Sequence, residues 1–118
     1  PTMQSDIMLT YKNKILIIDA KYYEHTTQMK QNTKKIHSNN LYQIFTYVKN
    51  KAVSGGDVSG MILYAKTDEE IQPNNTYIMS GNKISVNTLN LDCDFSQIAT
   101  QLNGIADEFI TNNTIITI

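Results

Sequence analysis

Arginine is missing from the chain: all ten basic residues are lysine. With no guanidinium fork, bidentate reading of guanine by arginine is excluded here, and base recognition is expected to lie elsewhere. Cysteine is nearly missing as well. Cys93 alone cannot close an internal disulfide, which fits a reducing cytoplasm and excludes a stapled secreted scaffold. There is no apolar run long enough to span a bilayer, so no membrane is expected. These residues show no signal-peptide pattern of a basic start, an apolar stretch and a small-residue cleavage site.

What is there suits one domain: 118 residues, 41% of them hydrophobic, can bury a true core. The start, Pro1-Thr2-Met3, has no initiator methionine at position 1, and strand-like sequence follows almost at once. Residues 1–118 are therefore read as a single domain from the C-terminal part of a longer protein. The net charge of −1 hides a division. Residues 1–51 hold eight lysines against Asp6, Asp19 and Glu24, a net of +5; residues 52–118 hold two lysines against eight acids, a net of −6. A basic half suits a polyanion, because lysine contacts to phosphates give affinity that is independent of sequence.

Residues 6–23 read as a β-hairpin. Ile15 to Ile18 form a continuous apolar run, the mark of a strand covered on both faces, and it ends in Asp19, Ala20 and Lys21. Side chains alternate along a strand, so Ile15, Ile17, Asp19 and Lys21 share one face. A turn centred on Lys12 and Asn13, with a two- or a four-residue loop, pairs Thr10 with Ile15, Met8 with Ile17 and Asp6 with Asp19. Two carboxylates then stand opposite each other, about 4.5 to 5.5 Å apart at Cβ, and like charges there destabilise the sheet. A hard divalent ion such as Mg²⁺ resolves the conflict, since it takes carboxylate and water oxygens. Lys21, one step further along that face, is placed to hold a water or an anionic substrate oxygen. The same spacing equally serves a plain salt bridge.

Residues 24–40 are polar and weakly periodic and read as a long loop or a partly ordered segment, in which Lys30, Lys34 and Lys35 are candidate phosphate contacts. His25 and His37 have no zinc-ligand spacing. Ser38 or Asn39 caps a helix to about Lys51, with Leu41, Ile44, Phe45 and Val48 as its core stripe. A strand is expected over 59–66 and a second hairpin from Tyr77 to Leu91, turned at Ser80-Gly81-Asn82. Asp68, Glu69 and Glu70 read as a solvated run. Asp94 caps a last helix whose stripe, Phe95, Ile98, Leu102, Ile105 and Phe109, is expected to close the core.

An acid, a second acid thirteen residues on, then Ala and Lys at the end of an apolar strand resembles the core of the PD-(D/E)xK nuclease superfamily. Gln43-Ile44-Phe45-Thr46-Tyr47 resembles the Q-x-x-x-Y element that follows that strand in many members. Within the superfamily, residues 5–23 with the helix at 38–50 and the strand at 59–66 look like the McrC family, the nuclease subunit of McrBC-type restriction systems. The resemblance implies an α/β fold, a mixed sheet flanked by helices. It also implies Mg²⁺-dependent hydrolysis of DNA, with Mn²⁺ able to substitute. Asp6, Asp19 and Lys21 would be catalytic; Asp6, Asp19 and the Ala20 carbonyl would hold metal; Gln43 and Tyr47 would position the lysine or the DNA. Its partners would be DNA containing modified cytosine and a GTP-dependent AAA+ motor of the McrB type. The rival readings are a non-catalytic DNA-binding or assembly module on a degenerate nuclease fold, and a RecB-like exonuclease or a resolvase.

Overall fold

The computed structural model describes residues 7–22, 27–53, 55–66 and 73–111, with the backbone alone described over 27–36. The elements run β1 (Ile7–Tyr11), β2 (Lys14–Lys21), α1 (Thr27–Ala52), β3 (Asp57–Ala65), β4 (Asn75–Met79), β5 (Asn82–Leu89) and α2 (Phe95–Thr111). The strands form one mixed sheet in the order β1-β2-β3-β5-β4. Strands β2, β3 and β5 are parallel, and antiparallel β1 and β4 close the two edges. The predicted mixed α/β fold, a sheet flanked by helices, is the one observed.

The apolar run of β2 is buried from both sides, as its composition requires: Leu16, Ile17 and Ile18 are each no more than 5% exposed. Alternation sends Ile17 into one core with Ile44, Val48, Val58, Ile62 and Ile84, beneath α1. Leu16 and Ile18 join Leu63 and Phe109 in a second core, beneath α2. The sheet is thus the middle of three layers. The helix α1 approaches β3 closely at Gly60, where an added Cβ would come within 2.8 Å of both Ile44 and Val48.

The first hairpin turns through Lys12 and Asn13 in two residues, with Lys12 at φ 53°. Thr10 pairs with Ile15 and Met8 with Ile17, as expected. The second hairpin turns through Ser80 and Gly81, both at positive φ, a backbone whose twist matches the flanking strands. Asp94 caps α2: its Oδ1 accepts from the backbone N–H of Gln97 at 3.1 Å.

Two expectations fail. Residues 27–40 belong to α1 and not to a loop, so Ser38 and Asn39 lie inside the helix and cap nothing. Gln, Met and Lys are good helix formers, and a helix already nucleated by its packed second half propagates through them without an apolar stripe. The α2 stripe also closes less core than expected. Phe109 is buried and Ile105 packs beside it, but Phe95 is 82% and Leu102 40% exposed.

Candidate active site at the end of strand β2

Asp19 and Lys21 lie at the carboxyl end of β2, on the face that α1 covers. In register they stand beside Ile62 and Tyr64 of β3. Asp19 is 5% exposed. A buried carboxylate needs compensation, and Lys21 provides it: its Nζ stands 3.2 Å from Asp19 Oδ2. The same ammonium donates to Gln43 Oε1 at 3.2 Å, and Gln43 Nε2 donates in turn to the Tyr47 hydroxyl at 3.3 Å. The two partners of the amide differ in kind, cation against oxygen and hydroxyl against nitrogen, which fixes its orientation. One connected chain therefore runs Asp19, Lys21, Gln43, Tyr47. It can hold an ammonium at a set point beside a carboxylate, at the open end of a sheet.

A second polar group adjoins it. Tyr64, the register partner of Lys21, accepts at its hydroxyl from Asn40 Nδ2 at 2.9 Å, and its ring lies 4.9 Å from that of His37. Asn40 is 6% exposed. Asn40 and Tyr64 went unread in the sequence, where His37 was considered only as a zinc ligand. The signal was available: Asn40 stands four residues before buried Ile44, and Tyr64 shares the phase of buried Ile62, so both polar groups fall in apolar rows.

Asp6 lies outside the described residues, as do His25 and the run Asp68 to Glu70. The observed pairing of β1 with β2 ends at Ile7 and Ile18, beside Asp19. Lys30, Lys34 and Lys35 are on the first half of α1, where the backbone alone is described. Among the described residues no three of His, Cys, Asp and Glu gather as a metal cluster. The donors Asp19 and the Ala20 carbonyl are hard oxygens, a fit to Mg²⁺ or Mn²⁺ and a poor one to softer ions. Lys21 already balances the single charge of Asp19, so a divalent ion at this place calls for a second acid. Cys93 is far from such chemistry; its thiol donates to the Asn90 carbonyl at 3.3 Å, ahead of α2.

A polar groove of about 710 Å³ lies on the opposite face, beside α2, with Ser59, Thr76, Lys83, Ser85 and Asn87 in its walls. Neither Asp19 nor Lys21 lines it.

A mixed five-stranded sheet between helices, with an acid and a lysine two residues apart at a strand end, is consistent with a restriction-endonuclease-like fold. Residues 2–65 match the model of the McrBC 5-methylcytosine restriction system component family. The chain belongs to that family, as an McrC-type restriction component. It is 34% identical over 111 residues to the type IV methyl-directed restriction enzyme EcoKMcrBC of Escherichia coli (strain K12). The match covers 93% of this chain and 31% of that relative, so the chain spans about a third of its length.

Proposed function

We propose that this chain is the nuclease domain of a modification-dependent restriction system, cutting DNA phosphodiester bonds with Mg²⁺. The observation that carries the reading is the linked set Asp19, Lys21, Gln43 and Tyr47, in which two helix residues hold the lysine at the carboxylate. Asp6, Asp19 and the Ala20 carbonyl would hold the ion. When bound, the ion supplies charge neutralisation at the scissile phosphate and a more acidic water.

The chain's own residues do the rest. Lys21, steadied by Gln43, presents N–H donors that orient the attacking water and offset the growing charge on the phosphate oxygens. Tyr47 holds the Gln43 amide, and through it the lysine. Asp19 holds Lys21 in place through their ion pair at 3.2 Å. Recognition of the modified cytosine falls to other parts of the assembly, and a GTP-driven McrB-type motor is the expected partner in the cytoplasm. None of the described helices is long and apolar enough to cross a membrane.

The test is Lys21→Ala in the full-length subunit, reconstituted with its motor and a methylated DNA. Cleavage is expected to fall by at least a hundredfold with the fold unchanged, and cleavage at the parent rate would sink the reading. A second reading has one observation in its favour: a direct Asp19–Lys21 ion pair at 3.2 Å is also what a retired site, kept for structure, would show. Calorimetric titration of Mn²⁺ and Mg²⁺, with Asp19→Ala alongside, separates the two. Saturable binding that the substitution abolishes belongs to the nuclease, and silence in both proteins to the structural module.

A further inference from the structure

Helix α1 is longer than the sheet it covers, and the excess lies at one end. Its residues Ile44 and Val48 meet the middle of β3 at Gly60, whereas Asn40 and His37 meet Tyr64, one residue short of that strand's end. Going up β3 is going down α1, so the helix runs antiparallel to the parallel strands. Thr27 to Ile36 therefore extend past the carboxyl ends of β2 and β3, by about 15 Å at 1.5 Å per residue. That is the edge at which Asp19 and Lys21 sit.

Helical periodicity puts positions 30, 34, 37, 41, 44 and 48 in one row along α1. Over the sheet the row is apolar: Ile44 and Val48 are fully buried and Leu41 packs against the same core. At the sheet's edge the row changes character. Position 37 is histidine, half-buried against Tyr64, and positions 34 and 30 are lysine. A row that had merely run out of sheet would be polar of any kind. Here both positions 30 and 34 are lysine, in the half of the chain that carries a net of +5.

We propose that the first ten residues of α1 form a basic overhang that grips the phosphate backbone of the nucleic acid beside the Asp19–Lys21 edge. The row is Lys30, Lys34 and His37, with His37 the contact nearest the cut. This deepens the nuclease reading and rests on it. The buried hydrogen bond from Asn40 to Tyr64 gains a purpose: it fixes the aromatic ring on which His37 leans, at the joint between the packed helix and its overhang. Lys30 and Lys34 add affinity that is independent of sequence.

The experiment uses the full chain in a Lys21→Ala background, where cleavage does not interfere. Binding of a fluorescein-labelled DNA duplex is followed by anisotropy across a range of salt concentrations. The double substitution Lys30→Ala with Lys34→Ala should weaken binding about tenfold at moderate salt and lower the slope of log K against log salt by roughly 2, one unit per lost phosphate contact. His37→Ala should weaken it severalfold. Lys12→Ala, at the far turn, should change neither quantity. Thermal midpoints should stay put for the double lysine substitution, since that part of α1 extends past the ends of the strands. Unchanged affinity and slope, or a loss that tracks a fallen midpoint, would overturn the overhang and leave the nuclease reading standing. Retained cleavage by Lys21→Ala would instead overturn the reading beneath it.

Discussion

Lys21 and Gln43 are joined across two elements: the ammonium at the end of β2 donates to the amide oxygen on α1 at 3.2 Å. The lysine is therefore held from two sides, by its own strand's Asp19 and by the helix above. Gln43→Leu removes the second hold and keeps the volume. A lost hydrogen bond to a charged group is worth about 1.5 to 3 kcal/mol, and here the group is part-exposed, so the low end applies. Single-turnover cleavage should slow by roughly tenfold, with DNA affinity kept. A Gln43→Leu enzyme that cuts at the parent rate would show that Lys21 needs no help from α1.

Gly60 is predicted to tolerate nothing larger. A Cβ there would meet Ile44 and Val48 at 2.8 Å, both side chains fully buried. Gly60→Ala should cost about 1 to 3 kcal/mol, the usual range for overpacking, read as a shift of the urea midpoint. Because the strain falls on the helix that carries Gln43, activity should drop further than the loss of folded protein explains.

Asn40 and Tyr64 form a buried pair, and each is predicted to be harder to lose singly than jointly. Asn40→Leu leaves the Tyr64 hydroxyl without this donor, at a cost of about 1 to 3 kcal/mol. Adding Tyr64→Phe removes the hydroxyl that has lost this donor and should restore part of that stability. Thermal melts of the two single variants and the double variant give the coupling directly.

On α2 the two ends should answer differently. Phe109 is 8% exposed in the second core, and Phe109→Ala should cost about 3 to 5 kcal/mol. Phe95 stands 82% exposed, and Phe95→Ser should stay within about half a kcal/mol of the parent. Equal losses at both positions would mean that the whole stripe is covered in solution.

The hairpin, its register and the Asp-x-Lys site were legible because strand alternation and a short turn leave little freedom. Once Lys12 and Asn13 turn the chain, the partners of Ile15 and Ile17 follow. The Q-x-x-x-Y spacing was legible for a similar reason: one helical turn separates Gln43 from Tyr47, and the observed hydrogen bond needs nothing more. The first half of α1 was not legible. Periodic apolar residues mark a helix only where it meets a core, and beyond the edge of the sheet there is no core to meet. The exposed half of the α2 stripe erred the other way, since an apolar row shows amphipathicity without showing what covers it. Asn40 and Tyr64 escaped because each is a polar residue in an apolar row, and only the fold shows that the two rows converge.

One long-range contact links the ends of the fold: the Lys14 ammonium donates to the Phe109 carbonyl at 2.9 Å, and its charge lies over the Phe109 ring. On the ribosome, Asp19, Lys21, Gln43 and Tyr47 all emerge before α2 exists. Until residue 109 has been made, Leu16, Ile18 and Leu63 have no Phe109 to pack under, and the sheet has one open greasy face. The nascent strands and α1 are thus expected to need a holdase, or to remain loosely packed, during the interval in which they are still tethered. A chain stopped at residue 94 should reproduce that state and bind a hydrophobic dye; a stopped chain with parent-like melting and no dye binding would show that the first core suffices. The face of the sheet opposite α1 would thus become closed only when α2 lands.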